Sequence, residues 1–157
     1  MCGISGFISK RRITLEDLTA MNDTMYHRGP NDSGVEIYDA AGGYAVGFAQ
    51  RRLSIMDLSP LGHQPMHAAD KRVSVVFNGE IYNFQELRAE LEALGYAFVT
   101  TGDTETIVHG YEAWGTDAFE KPPGLTPIAH CPAPTQRLEC PPDPFGHTPS
   151  HSHHDRN

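Results

Sequence analysis

Met1-Cys2-Gly3-Ile4-Ser5-Gly6-Phe7 opens the chain, and its second residue sets the terms for both fold and chemistry. An initiator methionine is usually removed ahead of a small residue, which would leave Cys2 with a free α-amine beside its own thiol. The amine has an ordinary pKa of about 7.7–8.0 and the thiol one of about 8.5, so near neutral pH the amine is able to take the thiol proton. Nucleophile and base then sit on one residue. A five-membered hydrogen-bonded ring is strained, so one water is expected to relay the proton. Packing offers a plainer reading of the same cysteine. It leads into Gly3 to Ser9, a short buried strand by pattern, and free cysteine is often buried as a small hydrophobe.

Working outward, the pattern is that of a mixed α and β domain. Thr14 followed by Asp17 resembles a capping box that opens an amphipathic helix through Leu15, Leu18, Met21 and Met25. His27-Arg28-Gly29-Pro30 ends it. Two strands around Gly42-Gly43, near Val35 to Tyr38 and Tyr44 to Gln50, read as a hairpin, and Arg72 to Phe77 is the next strand. Asn78-Gly79 is a tight-turn dipeptide, so Glu80-Ile81-Tyr82 is expected to resume an extended run and complete a second hairpin. Asn83 and Glu86 then cap a helix with Leu87, Leu91 and Leu94 as its apolar stripe. Gly95 stops it, Tyr96 to Thr100 reads as a strand, and Asp103 or Thr104 starts a last helix that closes at Trp114-Gly115.

The chain changes character after Lys121. Nine prolines fall between Pro122 and Pro149, and histidines occupy positions 130, 147, 151, 153 and 154, a spacing expected to leave no helix or strand of any length. The formal charge is −8, of which Arg137, Arg156, Glu139, Asp143 and Asp155 leave only −1 on this tail; the acidity belongs to the folded part. That balance argues against nucleic acid or an anionic membrane as partner, because phosphate binding needs clustered Lys and Arg. No stretch approaches the ~20 apolar residues of a membrane span, and no basic region followed by an apolar run marks a signal peptide, so a cytoplasmic protein is expected. Cys2, Cys131 and Cys140 make no disulfide framework. His130, Cys131, Cys140 and the last histidines match no compact zinc spacing, and Pro65 between His63 and His67 rules out a regular helical metal face, so no metal site is expected.

Four separated motifs resemble one family. Met1-Cys2-Gly3-Ile4-Ser5-Gly6-Phe7, His27-Arg28-Gly29-Pro30, Arg52-Leu53-Ser54-Ile55-Met56-Asp57 and Asn78-Gly79-Glu80-Ile81-Tyr82-Asn83 are similar to the glutaminase domain of the asparagine synthetases, a class II glutamine amidotransferase. His63-Gln64-Pro65-Met66 points to the same branch. The resemblance covers residues 1 to about 121 and implies an α+β fold, a four-layer αββα sandwich of the amino-terminal-nucleophile hydrolase type. After Ala118-Phe119-Glu120 the family continues into further core strands and then an ATP-binding synthetase domain. The resemblance therefore implies a partial domain over 1–121, incomplete at its C-terminal side, with 122–157 as an unrelated, disordered tail.

The implied reaction is hydrolysis of L-glutamine to glutamate and ammonia through a Cys2 thioester. Attack on the side-chain carbonyl creates an oxyanion, and the resemblance assigns its donors to the Asn78 amide and the Gly79 backbone N–H. Arg52 or Arg51 is suited to fork onto the substrate α-carboxylate, a match lysine cannot reproduce; the resemblance favours Arg52, which directly precedes Leu53-Ser54-Ile55. It likewise implies that Asp103 holds the α-ammonium, although alone Asp103 reads as a helix N-cap. Glu80 and backbone groups of Leu53, Ser54, Ile55 and Met56 are expected to line the same pocket. His27 and Arg28 read as structural supports. No cofactor is implied on this chain; ATP and magnesium belong to the synthetase domain, the one implied partner besides glutamine. Two other readings stay open: an inactive remnant or glutamine-binding module, and an amino-terminal-nucleophile hydrolase for another amide.

Overall fold

The computed structural model describes residues 2–54, 59–119 and 128–130. The opening apolar run forms β1 (Gly3–Ser9), and Thr14 begins α1 (Leu15–Asp23) with a complete capping box. Thr14 Oγ1 accepts the Asp17 N–H at 3.1 Å, and Asp17 Oδ2 accepts the Thr14 N–H at 2.9 Å, so two otherwise orphan donors are satisfied reciprocally. The apolar stripe of this helix differs from expectation. Leu18 is fully buried, but Leu15 and Met21 are exposed and Asn22 takes the second buried position. Asn22 is tolerated there because its Nδ2 donates to the Gln50 carbonyl at 3.2 Å and to Ser33 Oγ at 3.0 Å.

The expected hairpin is present and longer than its pattern. β2 (Asp32–Ala40) and β3 (Tyr44–Arg52) pair in register from Asp32 opposite Arg52 to Ala40 opposite Tyr44. Gly42 and Gly43 make the turn at φ of 72° and 75°, the left-handed region that glycine enters without steric cost. β1 pairs on the other side of β3, giving an antiparallel sheet in the order β1-β3-β2.

A second sheet has the order β4-β5-β6, from β4 (Met66–His67), β5 (Ser74–Phe77) and β6 (Ile128–His130). Alternation along the strands decides what each face meets. Val46 and Phe48 of β3 pack against Val76 of β5, joining the two sheets. Val75 and Phe77 point the other way, into a cluster with Ile81, Leu87, Ile107 and Val108 beneath α2 (Phe84–Ala93) and α3 (Thr104–Trp114). On the opposite side of the first sheet, α1 packs over β3 and β2.

Four local expectations are corrected. Residues 80–82 are not a strand, so Asn78-Gly79 closes no hairpin; β5 is flanked instead by β4 and β6. Residues 96–100 are not a strand either. Two of their backbone donors go to one buried carboxylate, Glu105, which accepts the N–H of Val99 and Thr100 at 2.9 and 2.7 Å together with the Thr100 hydroxyl, and the Tyr96 N–H donates to the Leu91 carbonyl at 3.1 Å. In α2 the stripe is Leu87 and Leu91, with Leu94 exposed, and Asn83 makes no side-chain cap. Finally, β6 lies within the proline-rich stretch expected to hold no strand. Pro127 precedes it and Pro132 follows it, so the prolines bracket the three residues instead of interrupting them.

Candidate active site

Register brings the amino-terminal cysteine to its neighbours. Gly3 lies opposite Arg51, so Cys2, one residue earlier, arrives at the end of the ladder beside Arg52 and Leu53. The Leu53 N–H donates to Cys2 Sγ at 3.3 Å, and the thiol lies 3.7 Å from the Leu53 carbonyl. Cys2 is half-buried. From the second sheet, Asn78 follows the end of β5 and its Nδ2 donates to the Cys2 carbonyl at 3.0 Å. Three motifs 25 residues or more apart in sequence therefore meet at Cys2.

Arg51 and Arg52 are separated by the pleat. Arg51 points to the α1 side, where it pairs with Asp23 and lies over the Tyr26 ring. Arg52 is 8% exposed and points to the other side, where one guanidinium N–H donates to the Ser59 carbonyl at 3.0 Å. Gly62 makes room for it: a Cβ there would stand 2.1 Å from the guanidinium. Behind Arg52, the Asn31 N–H donates to the Arg52 carbonyl and Asn31 Oδ1 accepts the Ser54 N–H, each at 3.1 Å. Gly29 of the His27-Arg28-Gly29-Pro30 loop abuts the same backbone, where a Cβ would fall 2.4–2.6 Å from Arg51 and Arg52 main-chain atoms. His27 and Arg28 are exposed; the support from this loop comes from Gly29 and Asn31.

Asp103 stands at the residue before α3, yet its side chain makes no cap. Its Oδ2 accepts the Ile81 N–H at 3.0 Å, which ties it to the segment just after Asn78-Gly79-Glu80. Burial raises its carboxyl above the ordinary value, with the Glu80 charge adding to the rise, while the Ile81 N–H pulls the other way. Gly79 and Glu80 are exposed at the turn, and Leu53 and Ser54 are half-buried. Ile55 and Met56 lie outside the described residues, as do Met1, Cys131 and Cys140.

Sequence reasoning missed several residues that hold this arrangement. Gln64, 4% exposed, accepts the Phe77 N–H at 2.6 Å and donates to Thr104 Oγ1 at 3.3 Å; Gln50, 1% exposed, donates to the Phe77 carbonyl at 3.2 Å. The signal was present in part, since glutamine inside an otherwise apolar strand needs partners once buried. His63 pairs with Asp32 at 2.9 Å, and His67 bridges Glu36 and Ser74, each at 3.0 Å. Among the described residues no three His, Cys, Asp or Glu side chains gather as metal ligands, and no helix is long and apolar enough to cross a membrane. A small apolar crevice between α3 and the 3₁₀ turn Gly115–Phe119, lined by Ile107, Gly110, Trp114 and Phe119, holds none of the expected catalytic or binding residues.

The sequence profile of the glutamine amidotransferase domain matches residues 1–157. A Mycobacterium bovis protein provisionally named as a glutamine-hydrolysing asparagine synthetase is 38% identical over 95% of this chain and 25% of its own length. The glutamine-hydrolysing asparagine synthetases 1 and 3 of Bacillus subtilis are 40% and 37% identical over 80% and 82% of the chain, and 20% and 21% of their own lengths. The chain thus spans about a quarter or less of these relatives. It belongs to the glutamine amidotransferase domain family.

Proposed function

We propose that this chain is a glutaminase module, the amidotransferase half of an asparagine synthetase-like enzyme, hydrolysing L-glutamine to glutamate and ammonia through a thioester on Cys2. The observation that carries it is the meeting of Cys2 with Leu53 and Asn78 at one place. With Met1 removed, the α-amine takes the thiol proton through a water and the thiolate attacks the substrate side-chain carbonyl. The carbon–nitrogen bond then breaks, ammonia leaves with a proton, and water cleaves the thioester to regenerate the thiol. Asn78 Nδ2 has two hydrogens; one goes to the Cys2 carbonyl, and the second, with the Gly79 N–H, serves the oxyanion.

Arg52 takes the α-carboxylate. Asp103 takes the α-ammonium, whose charge favours the ionised carboxyl against the burial that opposes it. Glu80 and the backbone from Leu53 to Met56 complete the pocket. No cofactor acts on this chain; a synthetase portion, using ATP and magnesium, receives the ammonia on activated aspartate, in the cytoplasm. The two sheets packed through Val46, Phe48 and Val76, with helices on both outer sides, support the αββα amino-terminal-nucleophile fold as the finer description. The division at Lys121 rests on the proline and histidine recurrence and on the end of the motif resemblance near Glu120, whereas β6 and the family match both continue past it.

The test is release of ammonia and glutamate from L-glutamine by the purified chain, with intact mass read in parallel. Turnover only in protein that begins at Cys2 is expected. Turnover by protein that fully retains Met1 would refute the amine as base, and glutamine binding without turnover would favour a binding module.

A further inference from the structure

The second sheet breaks off next to the site, and a side chain continues it. Met66 pairs with Val75 and His67 with Ser74, so the same register continued two residues further would set residue 64 opposite Phe77. Pro65 has no N–H to donate, and β4 begins only at Met66. In place of the ladder, Gln64 Oε1 accepts the Phe77 N–H at 2.6 Å. That bond fixes the amide, because an N–H needs an oxygen opposite it, and the Gln64 NH₂ is thereby turned to Thr104 Oγ1 at 3.3 Å. Thr104 has one hydroxyl hydrogen. With Gln64 donating to its oxygen, that hydrogen is directed at Asp103 Oδ1, 3.5 Å away, while Asp103 Oδ2 holds the Ile81 N–H.

All the side chains of this chain of contacts are buried: Gln64 is 4% exposed, and Thr104 and Asp103 are each 9% exposed. A buried polar group whose partner is removed finds no water to replace it, so each link holds its neighbour in one orientation. One end reaches the residue before Asn78, and the other reaches the carboxylate of Asp103.

We propose that Gln64 is a positioning residue that aligns the two halves of the glutamine pocket, the Asn78-Gly79 turn through Phe77 and the Asp103 carboxylate through Thr104. This rests on the glutaminase reading above. Gln64 touches no reacting atom in that reading; it acts by deciding where Asn78 and Asp103 stand.

Gln64→Met keeps the side-chain length without the amide, Thr104→Val cuts only the Asp103 arm, and Thr104→Ser restores its hydroxyl. In the full chain, Gln64→Met should lower kcat by about 10- to 10²-fold and raise KM for glutamine, since small misplacements at a reacting centre cost that much. Thr104→Val should raise KM with kcat little changed, and Thr104→Ser should bring KM back. A readout independent of turnover is the backbone amide signal by NMR. Gln64→Met should shift both Phe77 and Ile81 and leave Phe48 in place, whereas Thr104→Val should shift Ile81 and not Phe77. An Ile81 amide unmoved by Gln64→Met, or variants that only lower the melting temperature with kcat and KM intact, would overturn the proposal. Should Gln64→Met fail to fold, the Thr104→Val and Thr104→Ser pair decides it. An inactive parent would refute the glutaminase reading instead, and the amide signals would still uphold or overturn the linkage.

Discussion

The two sheets deliver their residues to the site by different means. In the first, strands of seven to nine residues pair along their length, so Cys2 and Arg52 are aimed by a continuous backbone ladder. In the second, strands of two to four residues include β5, which ends just short of Asn78, and the backbone of Phe77 before it is clamped by two buried glutamine side chains, Gln64 on its N–H and Gln50 on its carbonyl. A long ladder holds position by many weak, repeated bonds and tolerates the loss of one. A short sheet depends on a few side-chain bonds, each costly to break once buried. The proposed nucleophile thus sits on the redundant half of the molecule and its expected electrophilic helpers on the half with single points of support.

Substitutions on the two halves should separate accordingly. The largest effect is expected at Cys2→Ala, which removes the proposed nucleophile and should lower ammonia release by more than about 10⁴-fold, with the melting temperature nearly unchanged. The β1–β3 ladder does not depend on that thiol. Comparable turnover by variant and parent would remove Cys2 from the chemistry. Next, Asn78→Ala takes away the amide and its bond to the Cys2 carbonyl, and a fall in kcat of about 10²–10³-fold is expected from steady-state kinetics. A rise in KM alone would mean that Asn78 only binds.

A smaller effect tests Arg52 without changing it. The methyl of Gly62→Ala would displace the end of a flexible side chain, not backbone, so the fold should survive while the guanidinium moves. KM for glutamine should rise by about tenfold with kcat largely kept. An unchanged KM would point to a carboxylate anchor other than Arg52.

The smallest effect is electrostatic. Asp103 has a folded-state pKa raised above its ordinary value of 3.8, first by burial, so between that value and the raised one the folded chain holds a proton that the unfolded chain has released. Its contribution to stability is therefore greatest in acid and is lost as pH rises through that window. Asp103→Asn abolishes the titration while keeping an oxygen for the Ile81 N–H. The melting temperature of the variant relative to the parent should rise with pH across the window and then level off; a relative fall would contradict the sign.

Much of the fold was legible because it rests on short-range chemistry. The capping box of α1, the two glycines at positive φ between β2 and β3, and the end of α3 at Gly115 each depend on residues within a few positions of one another. The errors share a cause. Tyr96 to Thr100 has the composition of a strand, but the Tyr96 N–H went to the Leu91 carbonyl and those of Val99 and Thr100 to Glu105; Met21 fits the helical period, but Asn22 found partners across the sheet; Glu80 to Tyr82 looked like the return of a hairpin, but β5 is flanked by β4 and β6. Burial and long-range pairing overrode local pattern in each case.

The same division holds at the site. The sequence by itself determined which side chains are on offer for the proposed chemistry: a thiol at position 2, two adjacent arginines, an Asn-Gly turn and an aspartate ahead of a helix. Only the tertiary structure decided how they are used. The pleat of β3 sent Arg51 to Asp23 and Arg52 to the other side, and the Ile81 N–H drew Asp103 away from capping its own helix. Gln64 was placed between Phe77 and Thr104, partners 13 and 40 residues away. A residue's chemical type is local, whereas its face, burial and partner depend on strand register, which no short stretch of sequence contains.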